Sequence, residues 1–179
     1  MSAVSAAMRA LAYDAARWPV LLGMLSRIPV LGIGETVYDP GFAQGAIAGS
    51  ASSLAWALLP ELAPSARERA EVAIELADAI RHETPYRPLV AAPGDTAVHP
   101  RLAVVSPSAE ARRAALLALK PLGASPLYPS SLARIQALRP HLADDPDCPG
   151  ADELAARLFT LPTHIAVRTH IGAIADRLR

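Results

Sequence analysis

The sequence is poor in several of the features that assign a chain to a class. Cys148 is its only cysteine and Lys120 its only lysine, in a chain of 179 residues with 17 basic and 17 acidic side chains. A single cysteine excludes an internal disulfide and fits a reducing compartment. The formal net charge of zero argues against electrostatic capture of nucleic acid or of an anionic membrane.

Long uninterrupted hydrophobic runs are also missing. The most apolar stretch, residues 18–33, is broken by Arg27 and Pro29, and it falls short of the roughly 18 to 20 apolar residues that cross a bilayer. No basic region precedes this stretch, so we expect no signal peptide and predict a cytoplasmic protein. Aromatic residues make up only 4%, but hydrophobic residues reach 52%, which is enough aliphatic material for a core.

Two helices are predicted in the first third of the chain. Residues 2–17 are rich in alanine, which favours helix, and residues 44–59 are rich in alanine, glycine and serine. The small side chains of the second segment let another helix approach closely. Pro60 and Pro64 then predict a short connection, because proline disrupts a helix interior.

The next segment, residues 65–82, has the clearest helix signals. Ser65 and Glu68 have the spacing of a capping box, which predicts that the helix begins there. Arg67 and Glu71 have the i,i+4 spacing of a helical ion pair. An apolar stripe with helical spacing predicts the buried face, and it consists of Val72, Leu76, Ala79 and Ile80.

From Arg87 onward the predicted order is strand, strand, helix, strand, helix, helix, strand, helix. Ser106 and Pro107 predict the N-cap and first position of the first of these helices, and Thr169 predicts the cap of the last. The order indicates an α/β (α+β) fold with a small mixed or antiparallel sheet that helices cover on one side. The strands are predicted over residues 87–92, 101–105, 124–128 and 158–161.

A stretch near the C-terminus carries a family resemblance. Residues 148–164, CPGADELAARLFTLPTH, lead from a helix pattern into a short buried strand pattern that Pro162 closes. With further matches upstream, this stretch resembles the C-terminal end of the DegT/DnrJ/StrS family of pyridoxal-phosphate-dependent aminotransferases, which mostly act on nucleotide-linked sugars. The further matches are His99-Pro100-Arg101, Arg112, Arg113, Gly123 and Tyr128-Pro129.

The resemblance implies a domain organisation and two candidate substrate-binding residues. Residues 1–62 would form a helical N-terminal segment and linker, and residues 63–179 a small domain like that of fold-type I pyridoxal-phosphate enzymes. Tyr128 would face the substrate from its Gly-x-x-x-x-Tyr-Pro segment, or pack on the sheet edge with its hydroxyl in water. Arg101 would meet an anionic substrate group, or form a surface ion pair.

The resemblance also implies a cofactor that this chain is not expected to hold. Family members bind pyridoxal phosphate in a large N-terminal domain, through a Schiff-base lysine and groups that hold the phosphate. Lys120 instead ends a predicted helix and precedes a proline, where we expect a solvated ammonium near the helix dipole. We therefore assign no catalytic and no cofactor-binding residue, and we predict no transamination by the chain alone.

Three interpretations of the chain stay open at this point. It could be half of a split aminotransferase that completes a site on a separate large-domain subunit carrying pyridoxal phosphate. It could be a non-catalytic binding or dimerisation module that pairs with a second copy of itself, or a truncated remnant of such an enzyme. All three predict an exposed apolar patch and self-association, because helices built to face a large domain lose their cover.

No metal site is predicted. His164 and His170 are six residues apart, but no acidic residue or cysteine stands beside them at ligand spacing. Asp144, Asp145 and Asp147 form an exposed acidic turn rather than a calcium loop, because no glutamate follows at the required spacing.

Overall fold

A computed structural model of the protein describes residues 45, 49–92, 97–128, 130–142 and 147–179. The chain divides into two compact units, Met1–Pro60 and Glu61–Arg179. The second unit contains the sheet and is described first. The expected helix over residues 2–17 lies outside the described residues, as do Pro129, Asp144 and Asp145.

The sheet has four strands in the order β1-β2-β4-β3, and every neighbouring pair is antiparallel. β4 pairs with β2 along its whole length, so that Leu102 lies opposite Leu161 and Val104 opposite Phe159. This confirms the expected small sheet and resolves it as purely antiparallel. The strands are β1 (Arg87–Leu89), β2 (Arg101–Val105), β3 (Ser125–Pro126) and β4 (Leu158–Pro162).

The helices follow the strands in the expected order along the chain. The α-helices are α1 (Gly49–Glu83), α2 (Ala109–Leu119), α3 (Pro149–Arg157) and α4 (Ile171–Asp176). Short 3-10 helices complete the connections, at Lys120–Leu122, Leu132–Arg134, Gln136–His141 and Ile165–His170. Within the described residues, none of these helices combines the length and apolar character that a membrane crossing requires.

The core lies between one face of the sheet and three helices. Side chains alternate along a strand, so Leu102 and Val104 of β2 share a face with Phe159 and Leu161 of β4, and all four are fully buried. The α-helices contribute most of the remaining cluster: Val72, Ala73, Leu76, Ala77 and Ile80 from α1, Ala115 and Leu119 from α2, and Ile174 from α4. Tyr86, Val167 and Leu178 complete it.

The core contains a contact between two aromatic rings, those of Tyr86 and Phe159. Tyr86 meets Phe159 edge to face, with ring centroids 6.0 Å apart and an interplanar angle of 90°, a geometry that the ring quadrupoles favour. The Tyr86 hydroxyl donates to the Ala111 carbonyl over 3.1 Å, which satisfies a polar group that burial would otherwise leave unpaired. Burial raises the pKa of this phenol above its ordinary value.

The predicted break at Pro60 and Pro64 is wrong. A single α-helix is assigned from Gly49 to Glu83, so Ser65 and Glu68 lie inside the helix and do not cap it. Proline has a helical φ, and its cost is the missing N–H donor and a clash with the preceding turn. This part of the helix is exposed, so water can satisfy the carbonyls of Trp56 and Pro60 that lack a partner.

Two other predicted helix starts are displaced by two residues or less. The N-cap of α2 is Ser108, whose Oγ accepts from the Ala111 amide at 3.1 Å, whereas Ser106 is buried and bonds elsewhere. The terminal helix has His170 as its N-cap residue, without a side-chain cap, while the Thr169 hydroxyl donates to the Ala166 carbonyl. Ser106 lies two residues before the actual cap, and Thr169 lies inside the 3-10 helix Ile165–His170 that precedes the terminal helix.

Ion pairs join the C-terminal segment to α1. Arg168 contacts the carboxylates of Glu75 at 2.8 Å and Glu71 at 3.2 Å, and Arg179 pairs with Glu83. Glu71 therefore bonds across the fold, and the predicted i,i+4 pair with Arg67 is not found among the described ion pairs. The hydrogen bonds from Arg168 to Glu75 first, and then to Glu71, raise the pKa of its guanidinium.

In the first unit, the described part of α1 displays large apolar side chains. Trp56 is 77% exposed, and Leu54, Leu58 and Leu59 are more than half exposed. Leu62, in the second unit, is also exposed. Isolated exposed leucines are ordinary, but the exposure of a tryptophan and three leucines within six residues is a local concentration of apolar surface.

Candidate functional site

The candidate site lies at the end of the sheet where β2 begins and β4 ends. Arg101 opens β2, and its Cα partner is Pro162, the last residue of β4. Residues 123–128, named here the 123–128 segment, run alongside and contain β3. Alternation along the strands places Arg101 and Thr160 on the face of the sheet opposite the core.

Gly123 sets the course of the 123–128 segment. It has φ of 84°, the one positive φ among the described residues, and glycine adopts this left-handed conformation without a Cβ clash. Its amide donates to the Lys120 carbonyl at 3.1 Å, and the Ala124 amide donates to the Leu119 carbonyl at 3.2 Å. The chain thus leaves the 3-10 helix by a glycine C-cap and enters β3 directly.

The Arg101 guanidinium bonds to this segment and to β4. Its Nη2 donates to the Gly123 carbonyl over 2.6 Å and to the Thr160 carbonyl over 3.1 Å. Its Nε donates to the Thr160 hydroxyl over 2.7 Å. Burial lowers the pKa of Arg101 below its ordinary value, and no carboxylate pairs with it among the described residues, so the alternative of a surface ion pair is not found.

Thr160 links the arginine to the strand at the sheet edge. Its side chain is 97% buried, and its hydroxyl donates to the Ser125 carbonyl over 3.2 Å while it accepts from Arg101. The 123–128 segment is therefore held at two carbonyls, Gly123 and Ser125. Neither Thr160 nor its hydroxyl was singled out from the sequence, because a threonine in an apolar strand pattern reads as ordinary β-branched strand material.

Tyr128 projects from the end of the segment. Its side chain is 56% exposed, and its hydroxyl forms no hydrogen bond within the part of the chain that the structure describes. The structure thus brings Arg101 and Tyr128 to the same segment, Arg101 at its first carbonyl and Tyr128 at its last residue. An exposed phenol with a free donor and acceptor is able to bind a polar ligand group.

A second arginine, Arg112, lies at the opposite end of β4. Its Nε donates to the Leu158 carbonyl at 2.7 Å, and its Nη2 is buried without a hydrogen-bond partner among the described residues. Burial lowers its pKa. The resemblance includes this position, but no pattern in the sequence predicts that the side chain bonds to the first carbonyl of a strand.

A polar cluster fixes the N-terminal turn of α3. Asp152 accepts from Nε and Nη2 of Arg134 at 2.9 and 2.7 Å, and from the Ser131 hydroxyl. The bonds from Arg134 first, and then from Ser131, hold the pKa of the Asp152 carboxyl below its ordinary value. This cluster ties the 3-10 helix after Tyr128 to α3, and sequence inspection missed it because its members are 18 and 21 residues apart.

Among the residues that the structure describes, the remaining candidate groups do not come together as a metal site. Lys120 is exposed at the start of a 3-10 helix, and such a lysine does not fit a Schiff-base role, which requires an amine held in a closed pocket beside its carbonyl partner. His99 contributes its backbone carbonyl to the buried Thr163 hydroxyl at 2.5 Å. In the described ranges, no group of three metal-ligating side chains comes together.

Comparison with known proteins gives a structural likeness. No protein-family model matches the chain, and no curated protein matches it. Among solved structures, the chain is similar to the aminotransferase TlmJ from Streptoalloteichus hindustanus, with a TM-score of 0.57 and 21% sequence identity. The match covers 91% of this chain and 45% of TlmJ, so the chain spans less than half the length of that protein. The protein therefore has the fold of part of an aminotransferase.

Proposed function

We propose that this chain is the small domain of a pyridoxal-phosphate-dependent aminotransferase of the DegT/DnrJ/StrS type, acting on a keto sugar or a similar substrate. The observation that carries the proposal is the likeness of 91% of the chain to 45% of an aminotransferase. The sequence resemblance over residues 148–164 and the Gly123-to-Tyr128 spacing supply the family. The single exposed cysteine fits a reducing compartment, and we place the chain in the cytoplasm.

In this proposal the chain supplies one wall of the substrate cleft and no chemical centre. The exposed Tyr128 hydroxyl donates to, or accepts from, a polar group of the substrate. The cofactor supplies the electron sink for amino transfer, and a separate large-domain subunit holds it with a Schiff-base lysine. Because Lys120 does not fit that role, the pure chain is expected to show no turnover with added cofactor and amino donor.

The first test recovers the protein from its own cells. The native chain is isolated by affinity, the intact mass of each recovered species is measured, and an absorption spectrum is taken for bound pyridoxal phosphate. The proposal expects a lysine-bearing partner loaded with cofactor, and transamination by the reconstituted pair but not by either member alone. A chain that is recovered alone or as a homo-oligomer without cofactor contradicts the proposal, as does turnover by the pure chain.

The second test asks whether Tyr128 faces the substrate. In the reconstituted enzyme, Tyr128→Phe is expected to lower kcat/KM roughly three- to tenfold, which is the value of one neutral hydrogen bond. The matched control is Tyr86→Phe, since the Tyr86 hydroxyl donates to a backbone carbonyl beside the core. That variant loses stability but not kcat/KM. Equal effects of the two substitutions on kcat/KM would remove Tyr128 from the substrate wall.

A specific observation favours one alternative, a binding or dimerisation module without catalytic function. The described part of α1 in the first unit exposes Trp56 together with three leucines, and such side chains are enriched where proteins associate. If this alternative is correct, the chain self-associates without cofactor, and Trp56→Ala with Leu58→Ala shifts the equilibrium to monomer. Sedimentation of the wild type and of this double variant distinguishes the two candidates when it is read beside the cofactor spectrum.

A further inference from the structure

Arg101 is placed to fix the 123–128 segment, and this sets its role apart from that of an anion ligand. A guanidinium has two edges that bind a carboxylate or phosphate with two parallel hydrogen bonds, one formed by Nε and Nη2 and the other by Nη1 and Nη2. Both edges include Nη2. In Arg101 this atom already donates to the carbonyls of Gly123 and Thr160, and Nε donates to the Thr160 hydroxyl.

The partners of Arg101 all belong to the framework of the site. Gly123 is the turn residue where the chain enters the segment, and Thr160 is the central residue of the buried strand β4. The Thr160 hydroxyl in turn donates a hydrogen bond to the Ser125 carbonyl over 3.2 Å. Arginine and threonine together therefore hold the first and third carbonyls of the segment, three residues ahead of Tyr128.

We propose that Arg101, acting through Thr160, is a positioning residue that holds the 123–128 segment so that Tyr128 is presented at a fixed place. This inference rests on the proposed function for its biological meaning, but its physical content concerns the isolated chain. A substrate anion can reach Arg101 only at Nη1, by a single contact, unless the bonds to the segment are broken. The proposal thus replaces the direct anion-binding role expected from the sequence with an indirect one.

The test follows Tyr128 in the pure chain. Biosynthetic 3-fluorotyrosine gives one fluorine resonance for each of the four tyrosines, and the Tyr128→Phe variant identifies the signal of Tyr128 by its loss. Tyr86 provides an internal reference, because its ring is packed against Phe159 in the core. Four substitutions are compared with the wild type: Arg101→Met, Arg101→Lys, Thr160→Val and Thr160→Ser.

The expected pattern separates positioning from charge. Arg101→Met and Thr160→Val shift and broaden the Tyr128 resonance and leave that of Tyr86 in place. Arg101→Lys behaves like Arg101→Met although it retains the charge, because a single ammonium cannot make the three bonds of the planar fork. Thr160→Ser keeps the hydroxyl, so the Tyr128 resonance of this variant stays at its wild-type position. Amide exchange at Gly123, Ala124, Ser125 and Leu127 becomes about tenfold faster or more in Arg101→Met, Arg101→Lys and Thr160→Val, the value of one lost charge-assisted hydrogen bond.

A matched control accounts for loss of stability. Ser106 is fully buried just beyond the far end of β2, and its hydroxyl lies within hydrogen-bond distance of the carbonyls of Ser108 and Arg157. Ser106→Ala therefore removes a buried hydroxyl of the same kind without touching the 123–128 segment. A Tyr128 signal that moves equally in this variant and in Thr160→Val would overturn the proposal, as would a Tyr128 signal that no variant moves.

Titration with inorganic phosphate tests the rival role. If Arg101 is an anion ligand, phosphate shifts the Tyr128 resonance in the wild type and this response disappears in Arg101→Met; that result overturns the positioning role. The proposal expects the same phosphate response, or the same lack of one, in both proteins. Should Arg101→Met fail to fold, Thr160→Val and Thr160→Ser decide alone. None of these measurements needs the partner or the cofactor, so failure of this inference and failure of the proposed function are separate results.

Discussion

Gly123 packs against Pro162, the last residue of strand β4. A Cβ atom built on Gly123 would lie 3.2 Å from Cγ of Pro162, and the glycine has a φ of 84° that other residues adopt only with strain. The turn into the 123–128 segment thus depends on the absence of a side chain for two independent reasons.

Gly123→Ala is expected to destabilise the fold by about 1 to 2 kcal/mol, because it combines left-handed strain with a close contact. Gly150→Ala is the matched control, since Gly150 lies in α3 with open space around a built Cβ. Alanine there should be neutral or stabilising by up to about 1 kcal/mol. Denaturant unfolding of both variants checks the difference, and equal free energies of unfolding would contradict the turn geometry.

Leu76→Ala tests the packing of α1 on the sheet. Leu76 is fully buried in the core cluster, so its truncation leaves a cavity and should cost about 2 to 5 kcal/mol. Ile74, two residues earlier on the same helix, is 53% exposed, and Ile74→Ala should change stability by about 0.5 kcal/mol or less. Thermal unfolding distinguishes them, and a large loss in Ile74→Ala would mean that the opposite face of α1 is covered.

Asp152→Asn should remove a pH-dependent part of the stability. The bonds from Arg134 and Ser131 hold the Asp152 pKa below its ordinary value of 3.8, so the folded state favours the ionised carboxylate. Its contribution is present above that ordinary value and is lost as the pH falls through the lowered pKa. The melting temperatures of wild type and variant should therefore differ at neutral pH and converge in acid.

Ser131→Ala should show the same trend with a smaller amplitude, because the hydrogen bonds from Arg134 are the larger cause of the lowered pKa. A constant difference in melting temperature between wild type and Asp152→Asn at all pH values would show that the carboxylate does not titrate with folding.

Arg168→Ala should weaken the attachment of the C-terminal segment to α1. Arg168 contacts two carboxylates on a different element, and exposed ion pairs of this kind add little to stability, so the expected result is a small fall in the melting temperature. Within the described residues Arg81 forms one ion pair, with Asp78 one turn away on the same helix, so Arg81→Ala should have a smaller effect. High salt should reduce the Arg168 contribution, and a difference that salt leaves unchanged would indicate lost packing instead.

Most of the strands could be predicted from the sequence, because a short-range pattern of residue types determines them. Arg101–Val105 is found as predicted, and Leu158–Pro162 extends the predicted strand by one residue. The strands at the sheet edges are shorter than predicted, three residues for β1 and two for β3. Edge length depends on how far the neighbouring strand continues, and a local pattern does not contain that information.

The chemistry of the site was less accessible, because it depends on contacts across the fold. Arg101 and Thr160 are 59 positions apart, and the arginine meets backbone carbonyls rather than a charged partner. Every residue has a backbone carbonyl, so side-chain identity does not reveal which carbonyls accept hydrogen bonds. The sequence therefore predicted an anionic ligand or an ion pair for Arg101. The uninterrupted helix at Pro60 and Pro64 is a similar case, because proline is tolerated where the chain around it is exposed.

The two edges of the sheet limit how this chain can meet another protein. β1 and β3 are the outer strands, and they contain Pro88 and Pro126, each of which lacks an amide hydrogen. Neither offers a run of free donors on which a strand of another chain could be added. At these two edges of the described sheet, contact with another protein would therefore involve side chains rather than an added strand.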